Sequence, residues 1–138
     1  VTKNAHSDLV TEGIRVRAAA EYSTQESDPD RPLHVFVYRI QITNEGPQRA
    51  RLESRHWVIV DANGNRHEVR GPGVVGKFPD ICPGDSYEYT SHCPLTTSWG
   101  TMEGSYRFRR EDGRMFDVAV GRFFLAQNAP PILEQIGR

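Results

Sequence analysis

The sequence predicts a single all-β domain, an antiparallel sandwich or barrel of about 7–8 short strands. Three observations carry this. Apolar and polar residues alternate with a period of two in several segments, as a half-buried strand requires. Turn chemistry built on Gly, Pro, Asn and Asp separates those segments at near-regular spacing. No stretch carries the three-to-four-residue apolar period of a convincing helix, and no second composition regime or internal repeat suggests another domain.

Taken in order, residues 1–10 show no period and read as a flexible N-terminal arm. From Thr11 to Tyr22, Ile14, Val16 and Ala18 alternate with Arg15, Arg17 and Ala19, a half-buried strand. A polar loop from Ser23 to Pro32 follows. Between Pro32 and Asn44, Phe36, Tyr38, Ile40 and Ile42 share one parity, and Arg39 and Gln41 mark the other as solvent-facing. Asn44-Glu45-Gly46-Pro47 ends that strand.

Residues 50–60 alternate again around Trp57, the largest expected core side chain. Asp61-Ala62-Asn63-Gly64 signals a hairpin, read as a three-residue loop ending in a glycine bulge. That register sets Trp57 beside Val69 and Ile59 beside His67, whereas a two-residue Asn63-Gly64 turn would slip it by one. Pro83-Gly84 makes another turn, and Ser86 to His92 forms a strand with Tyr87 and Tyr89 on one face. Leu95 to Gly104 reads as an irregular, glycine-interrupted connection. Ser105 to Arg110 and Arg114 to Val120 flank an Asp112-Gly113 hairpin turn, and Phe123-Phe124-Leu125 extends the second arm past a bulge or bend at Gly121. Ala129-Pro130-Pro131 breaks the pattern, so residues 127–138 read as a tail with at most one helical turn at Ile132 to Ile136.

Composition narrows the function. The chain has 138 residues, enough for one domain to bury a core without metals or disulfides. Its 17 basic and 18 acidic residues leave a net charge of -1, which argues against a nucleic-acid partner. No apolar run approaches the ~20 residues of a membrane span. No basic-then-apolar leader opens the chain. A cytoplasmic protein without membrane insertion is expected, with Cys82 and Cys93 as reduced thiols.

The stretch Glu68-Val69-Arg70-Gly71-Pro72-Gly73-Val74-Val75-Gly76 carries the G-x-G-x-x-G spacing of phosphate-cradling loops. Nucleotide binding of that kind needs a helix directly after the glycines. Here Pro79 and Pro83 forbid it, so the segment is a glycine loop on a β-protein. Two readings compete. Successive glycines allow backbone N–H groups to converge on an oxyanion, with Arg70, Lys77, Arg66 and Arg55 adding charge. The structural alternative is a sharp chain crossing between the sheets near Trp57.

Other chemistry is weaker. No Cys-x-x-Cys or His-x-x-x-His spacing occurs, and His34, His56, His67 and His92 fall on separate elements, so neither a metal nor a cofactor is expected. His56 and His67 face opposite sides in the favoured register. Ser91-His92-Cys93 brings nucleophile and base types together, but strand neighbours point apart, so no catalytic residue is assigned.

Several segments resemble the ApaG domain family. They are Thr11-Glu12-Gly13-Ile14-Arg15-Val16, the run from Val35 to Gly46, Ser54-Arg55-His56-Trp57-Val58-Ile59, the glycine loop, Pro83 to Ser91, and Gly100 to Tyr106. They stand in the family's order and cover about residues 10–126, so 11–126 is taken as the domain. The chain departs from the family pattern at His92-Cys93, Ser98-Trp99 and Gly121-Arg122. The resemblance implies a fibronectin type III/immunoglobulin-like sandwich in a bacterial cytoplasm, without established catalysis, and an association with cobalt resistance and magnesium efflux. It also implies a protein-interaction module, because the domain occurs fused within eukaryotic F-box and polymerase-interacting proteins. A phosphate or pyrophosphate ligand at Gly71, Gly73 and Gly76 is the alternative it suggests. A protein partner docked through exposed aromatics such as Trp99 or Phe78 is the function expected; oligomeric state is not legible.

Overall fold

The computed structural model describes residues 4–137. The order of elements is β1 (His6–Thr11), β2 (Ile14–Tyr22), β3 (His34–Asn44), β4 (Ala50–Asp61), β5 (Arg66–Pro72), β6 (Asp80–Ile81), β7 (Ser86–Leu95), β8 (Trp99–Arg110), β9 (Met115–Ala126) and α1 (Ile132–Ile136). All strand pairs are antiparallel. One sheet has the order β1-β2-β3-β7; the second runs β5-β4-β8-β9, with β6 also on β4. The two pack as a fibronectin type III-like sandwich.

The strands form where alternation can be satisfied. Ile14, Val16 and Ala18 of β2, and Phe36, Tyr38, Ile40 and Ile42 of β3, turn inward and are buried. From β4, Trp57 meets Tyr38, Tyr106 and Phe123 edge-on, at ring separations of 5.7, 5.9 and 6.3 Å. Such contacts join the sheets at the centre of the core. The hairpin register is the expected one. Asp61 N–H donates to Asn65 O, Gly64 takes φ +84°, and Trp57 pairs with Val69 and Ile59 with His67.

Several expectations are corrected. The arm assigned to residues 1–10 contains β1 from His6 onward; residues 1–3 lie outside the described part. Its period is invisible because β1 buries neither face cleanly, leaving Leu9 and Val10 exposed. It is ordered instead by a tight turn at Glu12-Gly13, both at positive φ, and by bonds to β9. Ser7 Oγ donates to Gly121 O at 2.7 Å, and Phe124 N–H donates to Asn4 O at 2.7 Å.

The irregular connection expected from Leu95 to Gly104 is mostly strand. A Cβ at Gly104 would sit 2.0 Å from His56 O, so this glycine permits β8 to lie against β4. The bulge or bend expected past Gly121 is a β9 bulge, with Gly121 and Arg122 opposite Glu103. Gln41, expected to face solvent, is only 8% exposed, between Arg17 and Glu88 on neighbouring strands. The tail is also tied down. Ile132 is buried, its N–H donates to Glu21 Oε1 at 3.0 Å, and Gln135 Nε2 donates to Ala20 O at 2.8 Å.

Candidate functional site

The glycine loop lies on one edge of the second sheet. β5 pairs residues 54–60 of β4, and β6 pairs Ala50 and Arg51 of the same strand. Between them Gly73 N–H donates to Glu53 O at 2.9 Å, and Leu52 N–H donates to Pro79 O at 2.9 Å. Residues 74–78 are therefore an excursion from a continuous edge. The crossing between sheets expected here occurs later, at Cys82 to Asp85.

Within the excursion, Val74 and Lys77 exchange two backbone bonds of 2.9 Å. Val75 (φ +47°) and Gly76 (φ +75°) form the turn between them, the pattern of a type I′ turn. Gly76 supplies a conformation that costs it little; Val75, β-branched, holds the same region under strain. A Cβ at Gly73 would fall 2.3 Å from Lys77 O, so that glycine is needed for the close return of the chain. Val74 is buried, whereas Val75 is 59% and Phe78 42% exposed.

The predicted anion residues are brought together only in part: Arg55, Arg70 and Gly71 border one surface recess, while Gly76 and Lys77 belong to the turn that follows. Gly73, Val74 and Lys77 spend their N–H groups on the protein's own carbonyls, and Pro72 has none. Arg70 pairs with His56, on the opposite side of the sheet from Gly71 and Arg55. Lys77 is exposed. The Val75 and Gly76 amides, at the tip, have no acceptor among the described residues. Arg66 lies toward the far end of β5, 3.6 Å from Glu68.

Arg55 takes a part that sequence reasoning only half saw. Its guanidinium covers Gly71, where a Cβ would lie 2.9 Å from Nη2. Its Nη1 donates to Pro72 O at 2.9 Å and Gly73 O at 3.0 Å. The cation thus fastens the start of the loop. The available signal was its position two residues before Trp57 on an alternating strand, which points a charge inward.

Beside Arg55 the sandwich opens. The edges of β5 and β7 flank a cleft of about 370 Å³, lined by Tyr38, Arg55, Trp57, Val69, Ser91 and Cys93 among others. Burial pushes the Cys93 thiol up to about 11 and raises the Tyr38, Tyr89 and Tyr106 phenols. The Tyr89 and Tyr106 hydroxyls are hydrogen-bonded to each other. Cys82 and Cys93 are both free thiols.

The remaining candidates are dispersed. His56 Nε2 lies 2.8 Å from Glu68 Oε1 on the outer face, and this contact, the largest influence, holds the Glu68 carboxyl below its usual range. His67 is on the other face. His92 reaches outward to Glu26 at 3.2 Å, away from Cys93, which is buried. Among the described residues, no group of three or more His, Cys, Asp or Glu side chains could hold a metal. Among the described residues, no helix is long and apolar enough to cross a membrane. Trp99 is 41% exposed and stacks on Phe124 at 6.2 Å.

Comparison with known proteins agrees with this architecture. The family model described as the ApaG domain matches residues 24–110. Protein ApaG of Bdellovibrio bacteriovorus is 53% identical over 112 residues, covering 81% of this chain and 88% of that protein. Protein ApaG of Anaeromyxobacter dehalogenans is 48% identical, covering 85% and 92%. The crystal structure of the putative ApaA protein from Bordetella pertussis superposes with a TM-score of 0.82 at 39% identity, covering 94% of this chain and all of that one. Sandwich, glycine loop and sequence therefore agree: the chain belongs to the ApaG domain family.

Proposed function

We propose that this protein is a non-enzymatic binding module that docks a protein partner through the glycine-loop edge. The observation that carries this reading is the excursion at residues 74–78. It is closed by its own hydrogen bonds, yet holds Val75 in a strained conformation with its side chain in water, and places exposed Phe78 beside it. Strain of this kind is retained where surrounding structure enforces it, and it concentrates at ligand clamps. Arg51 lies over the Phe78 ring at 5.6 Å, giving the patch an aromatic and a cation, a pairing enriched at interface hot spots. Cytoplasmic residence, and an indirect route through the partner to cobalt resistance and magnesium efflux, belong to the same proposal.

A photo-crosslinking residue at position 78, compared with one at Ser86 on β7, tests it. A discrete partner captured only from position 78, and released by Val75→Asp, is expected. Equal or absent capture at both positions would remove the reading.

A second reading rests on the two tip amides. Val75 and Gly76 N–H, with the exposed Lys77 ammonium next in the chain, are donors that a phosphate could take up. Amide shifts confined to residues 75–77 on titration with pyrophosphate, lost in Lys77→Met, would support it; flat spectra at millimolar pyrophosphate would end it.

A further inference from the structure

Two residues that line the cleft between β5 and β7, Trp57 and Arg55, keep hydrogen-bond donors that the fold leaves underused. Trp57 is 3% exposed, and its indole Nε1–H has no acceptor among the described residues. A buried donor without a partner costs about 1–3 kcal/mol, so it stands out in a core this closely packed. Arg55, half-buried in the same lining, bonds loop carbonyls through Nη1 alone and has no acidic partner among the described residues. No carboxylate lines the cleft. The Ser91 and Tyr38 hydroxyls in the lining are hydrogen-bonded to each other, while Ile59, Val69, Pro94 and Met102 supply apolar walls.

These features select a ligand class. One guanidinium and one indole N–H suit a single negative charge; His92, the other basic residue of the lining, is engaged by Glu26 at 3.2 Å. The walls suit an apolar body. The volume of about 370 Å³ falls at the small end of the range for ligand sites, about 300–1,000 Å³. We propose that this cleft binds a small monocarboxylate on an apolar body, its carboxylate received by Arg55 and the Trp57 indole N–H. The cleft adjoins the glycine loop through β5 and Arg55, but the carboxylate reading does not rest on the protein-docking one.

Phenylacetate is the probe, with phenylacetamide as its neutral counterpart, and the indole N–H resonances of Trp57 and Trp99 are the readout. Phenylacetate is expected to shift the Trp57 resonance saturably, leave Trp99 unmoved, and bind about ten-fold or more tightly than the amide, the ratio expected for a charged hydrogen bond. Arg55→Met should erase that preference. Because Arg55 also fastens the loop, Val69→Phe gives a second arm: it fills the mouth from an exposed edge position and should weaken both ligands. No saturable shift at millimolar phenylacetate, equal binding of the amide, or binding indifferent to Val69→Phe would overturn the proposal.

Discussion

The two long sides of the sandwich are closed by different chemistry. On one, β1 lies against β9 and the seam is laced by short local bonds. Ser7 Oγ reaches Gly121 O, Thr11 Oγ1 accepts from Ala119 N–H, and Asn4 O accepts from Phe124 N–H. On the other, β5 and β7 remain apart. Arg55 covers Gly71 on the β5 side of that gap, and the Tyr89–Tyr106 hydroxyl pair joins β7 to β8 beneath it. The first side spends its polar groups on itself and needs nothing further. The second keeps an idle indole N–H, a guanidinium without an acid and a strained loop. Where a fold leaves polar groups underused, binding is the economical reading.

Raising the pH should show this contrast most strongly. The Cys93 thiol and three phenols all belong to the open side, and burial favours their neutral forms. The folded thiol titrates near 11 rather than the ordinary 9.0, so its stabilisation is complete below pH 9 and is lost as pH rises through 11. The phenols act in the same direction above their ordinary 10.0. Urea midpoints are expected to hold steady to about pH 9 and then fall steeply; a flat profile to pH 11 would mean the cluster is solvated.

Arg55→Met comes next. Losing two charged hydrogen bonds to Pro72 and Gly73 should cost about 2 kcal/mol. Amide exchange should quicken at Gly73 to Lys77 while the β1–β9 seam keeps its protection. Equal loss at both sides would show that the sides are coupled. Ser7→Ala, the reciprocal change at the seam, should cost about 1 kcal/mol and leave the loop amides untouched. The smallest change has the opposite sign. Val75→Gly should relieve the positive-φ strain and stabilise by up to about 1 kcal/mol in denaturant unfolding, while weakening partner capture. Destabilisation instead would mean that the Val75 side chain serves the fold.

How much could be read beforehand depended on how local the cause was. The Trp57–Val69 register was legible because Gly64 and a three-residue loop determine it within a few residues. β1 was not, since the hairpin that pairs it with β2 shows no burial period and its further bonds come from β9, more than a hundred residues away in the chain. The glycine spacing pointed to the right loop but not to its workings. Glu53 O claims one amide and the loop's own return claims two others. Arg55 was noticed only as nearby charge, because alternation shows which way a residue points but not which carbonyls await it.

The sequence by itself determined the all-β class, the inward faces of β2, β3 and β4, the hairpin turns and the family. The family was carried by the resemblance of whole segments; the rest are products of period-two patterning and turn residues, whose physics acts over a few positions. Only the tertiary structure decided which edges meet, which amides of the glycine loop remain for a ligand, and that Arg55 and Trp57 share one cleft. Those outcomes depend on the packing of two sheets whose facing strands are distant in sequence, and no local pattern encodes that meeting.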